Sequence, residues 1–259
     1  MSVEVSTELK HVAMITICRP EAQNAMTYEM MTDLAKVFHD LRTSAEPPRV
    51  VILTGAGSQA FTAGVDLTAA QRVFRTREDE VDRDVVHQMD QCMFPIIGAI
   101  NGWAINAGFE IALACDILLA SPAAKFVDTH CKFGLLPAWG LSQRLPRLVG
   151  VNRAREISLL GRSLDASTAH QWGLVNDIVP ASEIVDAAKE MAAKLASFRP
   201  EILQNFKRVM LEGLGMSFAE ARKYERAEGF KHYRLMPMDD FDRMKKFIDS
   251  KKMSPVSKL

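Results

Sequence analysis

The feature that most constrains the fold is a set of short apolar runs that alternate with helical patterns. The segments RVVILTG (49–55) and PIIGAING (95–102) are continuous apolar runs, which is typical of strands buried on both faces. DILLAS (116–121) is a third short strand. Apolar residues recur at helical spacing over 27–41, and AGFEIALAC (107–115) indicates a short helix. Strands that alternate with helices predict an α/β fold.

The C-terminal part of the chain has a different character. From residue 151 the patterns are mostly helical, with one strand at LVNDIV (174–179). We therefore predict a core over 1–195 and a C-terminal helical region over 196–259. The charged segment 70–90 is either a solvated helix over the core or a mobile lid. Apolar residues at helical spacing in the C-terminal region predict self-association, namely Ile202, Phe206, Val209 and Met210.

Composition argues against several classes of partner. Lys+Arg and Asp+Glu both total 32, so the formal net charge of zero gives no sign of a nucleic-acid partner. No run reaches the roughly 18 to 20 apolar residues of a membrane span, and we expect neither a span nor a secretion signal. The histidines lack an HxxxH spacing, so we expect no metal site. The widely spaced cysteines indicate free thiols in a reducing compartment: Cys18, Cys92, Cys115 and Cys131.

The last three residues of the sequence are Ser257-Lys258-Leu259. At a C-terminus this tripeptide is read by the peroxisomal import receptor. We therefore expect a peroxisomal location, or a cytoplasmic one if the source is bacterial, where the same letters carry no such meaning.

Two turns of small residues each precede a carboxylate. Ala63-Gly64-Val65-Asp66 follows one buried strand, and Ala107-Gly108-Phe109-Glu110 follows another. Small residues let a ligand approach the backbone, and two such turns side by side could aim two N–H groups at one oxygen, as an oxyanion hole does. The alternative is that Ala-Gly only permits tight packing of a helix on a strand.

Glu110 is a lone carboxylate in an otherwise small or apolar segment, 104–115, in which Asn106 is the other polar residue. The start of a helix favours its charge, whereas apolar neighbours oppose ionisation, and this balance suits a general base. The alternatives are that Glu110 caps its own helix or pairs with an arginine.

Several longer motifs, in this order, resemble the enoyl-CoA hydratase/isomerase family, also called the crotonase family. They are RPEAQNAM (19–26), AFTAGVDL (60–67), NGWAINAGFEIALACDILLAS (101–121), KFGLLPAWGLSQRLPRLVG (132–150) and AREISLLGRSLDASTAHQWGLVNDIV (154–179). Within that family, AGFEIALACDIL and DTHCKFG are similar to a branch of short peroxisomal enoyl-CoA hydratases.

The resemblance implies a spiral of ββα repeats followed by C-terminal helices that form a homotrimer or a hexamer. It implies hydration of a trans-2-enoyl-CoA in fatty-acid β-oxidation, with Val65 and Ala107 as the oxyanion-hole donors and Glu110 as an acid/base residue. No separate cofactor is implied, because coenzyme A enters as part of the thioester substrate. The residues implied to border the substrate are Ala25, Ala63, Gly64, Asp66, Leu67 and Thr68.

The sequence departs from the family at its second acid/base glutamate, where His130 stands. Histidine can donate a proton near neutral pH, and Asp128 could orient it or be the acid itself, on the same face if the segment is a strand. Alternatively His130 only packs at a site that has lost hydration. Two other functions stay open: an enoyl-CoA isomerase that uses Glu110 alone, and an acyl-CoA-binding protein with little catalysis.

Overall fold

The computed structural model describes residues 2–68, 70–73 and 84–253. The chain separates into two compact units, Met1–Asn205 and Phe206–Leu259, whereas the predicted boundary lies at residue 195. Residues 74–83 of the charged segment 70–90 and the terminal Ser257-Lys258-Leu259 lie outside the described residues.

Ten strands are present in the described residues, and all belong to the first unit. They are β1 (Val3–Ser6), β2 (Val12–Ile17), β3 (Val50–Gly55), β4 (Ala60–Thr62), β5 (Ile96–Ile100), β6 (Trp103–Ile105), β7 (Ile117–Ala120), β8 (Lys125–Val127), β9 (Leu164–Asp165) and β10 (Asp177–Ile178). One sheet has six strands in the order β1-β2-β3-β5-β7-β10, and the other has four in the order β4-β6-β8-β9. Both sheets are parallel except at β1–β2 and β8–β9.

The helices follow the predicted patterns in most places. They are α1 (Tyr28–Thr43), α2 (Ala70–Val73), α3 (Val85–Asp90), α4 (Ala107–Ala114), α5 (Leu141–Val149), α6 (Val151–Leu160), α7 (Ala166–Gln171), α8 (Ile184–Ala196), α9 (Pro200–Gly213), α10 (Phe218–Leu235) and α11 (Met238–Met253). Thr27 caps α1 by accepting a hydrogen bond from the Met30 N–H at 3.2 Å, which stabilises the start of the helix. Helices α10 and α11 belong to the second unit.

The large sheet buries apolar side chains on both faces, as its continuous apolar runs predict. Val50 and Ile52 of β3 pack in one apolar cluster together with Ala188 of α8. Val51 and Leu53, the alternate residues of the same strand, pack in the other cluster. Because successive side chains of a strand point to opposite faces, this alternation places the sheet between two apolar layers.

The smaller sheet positions the two small-residue turns and the segment that contains Asp128 and His130. Its strands β4, β6 and β8 run parallel, so that their carboxyl ends lie at the same edge. The chain leaves that edge into three turns, at 63–66, 106–107 and 128–130. In parallel sheets this edge is where ligands commonly bind.

Candidate active site

The two small-residue turns lie against each other. Gly64 has a φ of +89°, and a Cβ added to it would lie 2.6 Å from the Ile105 carbonyl oxygen and 3.6 Å from the Ala107 nitrogen. A Cβ on Gly108 would lie 2.4 Å from the carbonyl oxygen of Thr62. Glycine is therefore needed in each turn for the close approach of two backbone segments. The glycines do permit tight packing, as the alternative stated. The same packing also brings the backbones of the two turns together.

The backbone at Val65 and Ala107 is suited to donate hydrogen bonds at this edge. Met26 forms a parallel bridge with Val65. The N–H of Met26 donates to the Gly64 carbonyl, and the carbonyl of Met26 accepts from the Asp66 N–H, both at 2.8 Å. In this pattern the N–H of Val65 itself points away from Met26. Ala107 is the first residue of α4, where backbone N–H groups have no acceptor within the helix.

Glu110 lies in the first turn of α4, and the residue is only 3% exposed. Its Oε1 accepts hydrogen bonds from the backbone N–H groups of Trp139 at 2.8 Å and Leu141 at 3.4 Å. The carboxylate is thus held by the segment that leads into α5 and does not cap its own helix. Burial raises the pKa of Glu110, and these two N–H groups with the nearby His130 offset the rise only in part.

Asp128 and His130 form a compact pair after the end of β8. Oδ1 of Asp128 lies 2.7 Å from Nδ1 of His130 and also accepts the His130 backbone N–H at 3.0 Å. The condition that this segment is a strand is not met, because β8 ends at Val127 and His130 has helical dihedral angles. The turn, rather than strand alternation, brings the two side chains together.

The electrostatics of this pair favour a charged imidazole. Burial lowers the pKa of His130, but the hydrogen bond and charge of Asp128 and the charge of Glu110 outweigh it, so that the pKa is raised. Burial acts to raise the pKa of Asp128, but hydrogen bonds from the side chains of His130 and Ser158 prevail and lower it. Asp128 therefore stays ionised beside an imidazole that retains its proton to higher pH.

The turn after β4 is tied to the loop that precedes α1. The guanidinium of Arg19 forms an ion pair with Asp66 and donates to the Ala25 carbonyl at 3.1 Å. Asp66 Oδ1 also accepts from the N–H and hydroxyl of Thr68, at 2.8 and 2.6 Å. These Thr68 bonds, followed by Arg19, lower the pKa of Asp66 to about 2. Leu67 is 82% exposed, so its side chain projects from this turn.

The structure places the other predicted residues at the same edge. The Ala63 N–H donates to the Gln23 carbonyl at 3.0 Å, and Ala25 lies half-buried in the adjoining loop. Asn24 is fully buried and its amide donates to the Ala60 carbonyl at 2.8 Å, which joins the RPEAQNAM loop to β4. The loop and the turn therefore form one wall of the site.

Sequence reasoning missed four groups that hold the site together. They are the backbone N–H groups of Trp139 and Leu141, the hydroxyl of Ser158, and the side chain of Thr129. Asn106 was noticed only as a polar residue in an apolar segment. Its amide bonds to Thr129. The presence of a polar residue in an apolar segment was the one sequence feature that could have indicated this contact.

Over 2–68, 70–73 and 84–253, no three His, Cys, Asp or Glu side chains are grouped so that they could hold a metal ion. None of the helices in these ranges has the length and apolar character that crossing a membrane requires.

Comparison with known proteins identifies relatives along nearly the whole chain. Residues 7–242 match the family described as enoyl-CoA hydratase/isomerase. The chain is 44% identical over 258 residues to "Probable enoyl-CoA hydratase 1, peroxisomal" of Arabidopsis thaliana, with 99% of this chain and 97% of that protein covered. It is 33% identical to the short-chain-enoyl-CoA hydratase of Clostridium acetobutylicum, with 93% of each covered.

Solved structures agree with this assignment. The crystal structure of an enoyl-CoA hydratase from Bacillus anthracis superposes with a TM-score of 0.83 at 30% sequence identity, and it covers 99% of this chain and 98% of that one. The fold expected from the resemblance, a crotonase-like α/β fold, is thereby confirmed. The protein belongs to the enoyl-CoA hydratase/isomerase family.

Proposed function

We propose that the protein is an enoyl-CoA hydratase that adds water across the 2,3 double bond of a trans-2-enoyl-CoA, as in fatty-acid β-oxidation. The observation that carries the proposal is the buried arrangement of Glu110 and His130, whose Oε2 and Nε2 atoms lie 3.9 Å apart. A base and an acid that face each other can add the two parts of water to neighbouring carbons.

Each group has one task in this reaction. Glu110 accepts a proton from water while the water oxygen bonds to C3. The electron pair of the C2–C3 double bond moves toward the thioester carbonyl, whose oxygen gains negative charge. The protonated imidazole of His130 then donates a proton to C2, which restores the carbonyl and completes the addition of H and OH. Asp128 keeps that imidazole protonated and oriented.

The N–H groups of Val65 and Ala107 are proposed to bind the carbonyl oxygen as its charge grows. The closeness of the two turns at Gly64 and Ala107 supports this role. Preorganised donors of this kind contribute roughly 2.7 to 4 kcal/mol each to transition-state stabilisation. No further cofactor is needed, because coenzyme A arrives as part of the substrate.

We further propose that the substrate's CoA arm passes along the wall formed by the RPEAQNAM loop and the turn after β4. The residues proposed to border it are Ala25, Ala63, Gly64, Asp66, Leu67 and Thr68. Two observations support this path. The exposed Leu67 side chain offers an apolar contact to the CoA arm, and the Arg19–Asp66 ion pair holds the turn in place.

The test is to incubate the protein separately with crotonyl-CoA and with a 3-enoyl-CoA and to determine product masses. Gain of one water from crotonyl-CoA supports the hydratase. A double-bond shift at unchanged mass, without hydration, would assign an isomerase that uses Glu110. Tight binding with no product from either thioester would assign an acyl-CoA-binding protein.

We also propose that the protein forms a homotrimer or a dimer of trimers through its C-terminal helices. Large apolar side chains are exposed there, including Phe206 at 67% and Met210 at 56%, whereas Ile202 and Val209 are half-buried. Exposed apolar surface of this kind is typical of an interface. Light scattering that gives a monomer mass at micromolar concentration would contradict the proposal.

A peroxisomal location is proposed because the Arabidopsis relative is named as peroxisomal, and Ser257-Lys258-Leu259 is a tripeptide that the peroxisomal import receptor reads when it stands at a C-terminus. In a eukaryotic cell, a fluorescent protein fused to the N-terminus should enter peroxisomes. The same fusion without Leu259 should remain in the cytosol. Import that does not depend on Leu259 would contradict recognition of this tripeptide by the import receptor.

A further inference from the structure

Asn106 and Thr129 form a side-chain clamp that no step of the proposed reaction uses. Oδ1 of Asn106 accepts the Thr129 N–H at 2.7 Å and the Thr129 hydroxyl at 3.0 Å. Nδ2 of the same amide lies 2.9 Å from that hydroxyl oxygen. Both polar atoms of the amide therefore bind a single residue.

The backbone of Asn106 is held in an unfavourable conformation. Its φ is 48° and its ψ is −110°, a combination that residues with a Cβ rarely adopt. Asn106 precedes α4 at the position where an asparagine would ordinarily cap the helix, yet its side chain makes no bond to that helix. Thr27 and Asp165, at the same position before α1 and α7, do cap their helices. The amide of Asn106 is thus directed to Thr129 instead.

The clamp joins the two halves of the acid/base pair. On one side, Asn106 adjoins Ala107, and its carbonyl accepts the Glu110 N–H at 2.9 Å. On the other side, Thr129 lies between Asp128 and His130 in the sequence. The Asn106 N–H also donates to the Val127 carbonyl at 2.9 Å, so the backbone makes the same connection.

We propose that Asn106 and Thr129 are positioning residues, which fix the Glu110 carboxylate against the His130 imidazole and direct the Ala107 N–H. The hydrogen bonds of the clamp are observed in the structure. The catalytic role of the groups that the clamp positions rests on the proposed function. Small displacements of reacting groups are costly, since a misplacement of about 1 Å can lower a rate by about 100-fold.

The first test is Asn106→Gly, since glycine tolerates the positive φ and only the clamp is lost. With crotonyl-CoA, kcat should fall by about 100-fold while KM stays within about threefold, because binding of the ground state does not depend on the clamp. Asn176→Gly is the matched control. It removes an amide that accepts the Leu118 N–H at 2.8 Å from β7 of the large sheet, and it should leave kcat unchanged.

Thr129 supplies the second arm of the test. Thr129→Val removes the hydroxyl and should lower kcat, whereas Thr129→Ser retains the hydroxyl and should keep most of the turnover. If the two residues act as one unit, the double variant Asn106→Gly, Thr129→Val should be no slower than Asn106→Gly alone. Independent, multiplying effects on kcat would overturn the clamp.

An NMR measurement without substrate separates this inference from the proposed function. The charged groups that face His130 in the described residues are Asp128 from its own turn and Glu110 from α4. Asn106→Gly should shift the imidazole resonances of His130, and Asn176→Gly should not. If the wild-type protein does not hydrate crotonyl-CoA, the proposed function fails and this spectrum alone decides on the clamp. Hydration in the wild type with an unchanged spectrum and unchanged kcat in Asn106→Gly would overturn the clamp and leave the function standing.

Discussion

The carboxylate of Glu110 and the imidazole of His130 face each other across 3.9 Å, between residues that are 3% and 6% exposed. This distance is longer than a hydrogen bond, and each group has its own partners on the far side: backbone N–H groups for Glu110 and Asp128 for His130. The pair is therefore held apart by its surroundings, and each member is available to a third molecule.

Glu110→Gln should lower kcat for crotonyl-CoA hydration by roughly 100-fold or more, because the amide keeps the size but cannot accept a proton. Binding of the thioester should persist. In the wild type, the raised pKa of Glu110 moves the acidic limb of the pH–rate profile upward from the ordinary range of a glutamate, since the base must be ionised. Steady-state kinetics between pH 4 and 10 check both points, and turnover that survives in the variant would exclude Glu110 as the base.

His130→Gln should lower kcat to a similar degree, because the glutamine amide is too weak an acid to give a proton to C2. In the wild type, the raised pKa of His130 keeps the acid protonated to higher pH, so activity should fall only as pH rises through that raised value. The basic limb should be absent from the variant.

His130→Glu restores the residue expected from the resemblance and should retain or raise hydration. Full hydratase activity in His130→Gln would instead assign the acid to Asp128 or to Glu110. If neither the wild type nor His130→Glu hydrates crotonyl-CoA while isomerisation persists, the isomerase is the better assignment.

Asp128→Asn tests whether Asp128 orients the imidazole or is itself the acid. Asparagine keeps an oxygen for the His130 N–H but loses the negative charge, so the pKa of His130 should fall and the basic limb should move to lower pH. We expect a drop in kcat of about tenfold, which is smaller than the roughly 100-fold or greater loss expected when the general acid itself is removed, because the imidazole is still present. Loss of activity in Asp128→Asn, together with an active His130→Gln, would make Asp128 the acid.

The large sheet could be predicted because β3 and β5 are continuous apolar runs. The small sheet could not, since its strands have two or three residues each and show no periodicity. Glu110 was conspicuous as a charge in an apolar segment. Its partners were not, because every non-proline residue carries a backbone N–H and only the fold selects Trp139 and Leu141. Helix α5 was obscured by Pro146 in its interior.

Gly108→Ala should destabilise the protein, because the new Cβ would lie 2.4 Å from the Thr62 carbonyl oxygen, which is backbone and cannot easily move. We expect a loss of about 1–3 kcal/mol in the free energy of unfolding. Gly229→Ala in α10 is the control: its Cβ would be 3.8 Å from the nearest atom, and alanine should stabilise the helix by about 0.5–1 kcal/mol. Urea unfolding of both variants measures these changes, and an unaltered midpoint for Gly108→Ala would contradict the close contact of the two turns.

Ala107→Pro removes one of the two proposed oxyanion donors and should cost at least about 2.7 kcal/mol of transition-state stabilisation, equivalent to about 100-fold in kcat. Proline is accepted at the first position of a helix, although it restricts the preceding residue, here the strained Asn106. The kinetics therefore need two further measurements on the variant. Thermal unfolding tests whether it folds, and the affinity for butyryl-CoA, a saturated thioester that cannot be hydrated, tests whether it binds the thioester. Unchanged binding of butyryl-CoA with reduced kcat would support a donor that acts on the developing charge. Equal kcat in a folded variant would show that the Ala107 N–H does not contact the oxygen during the reaction.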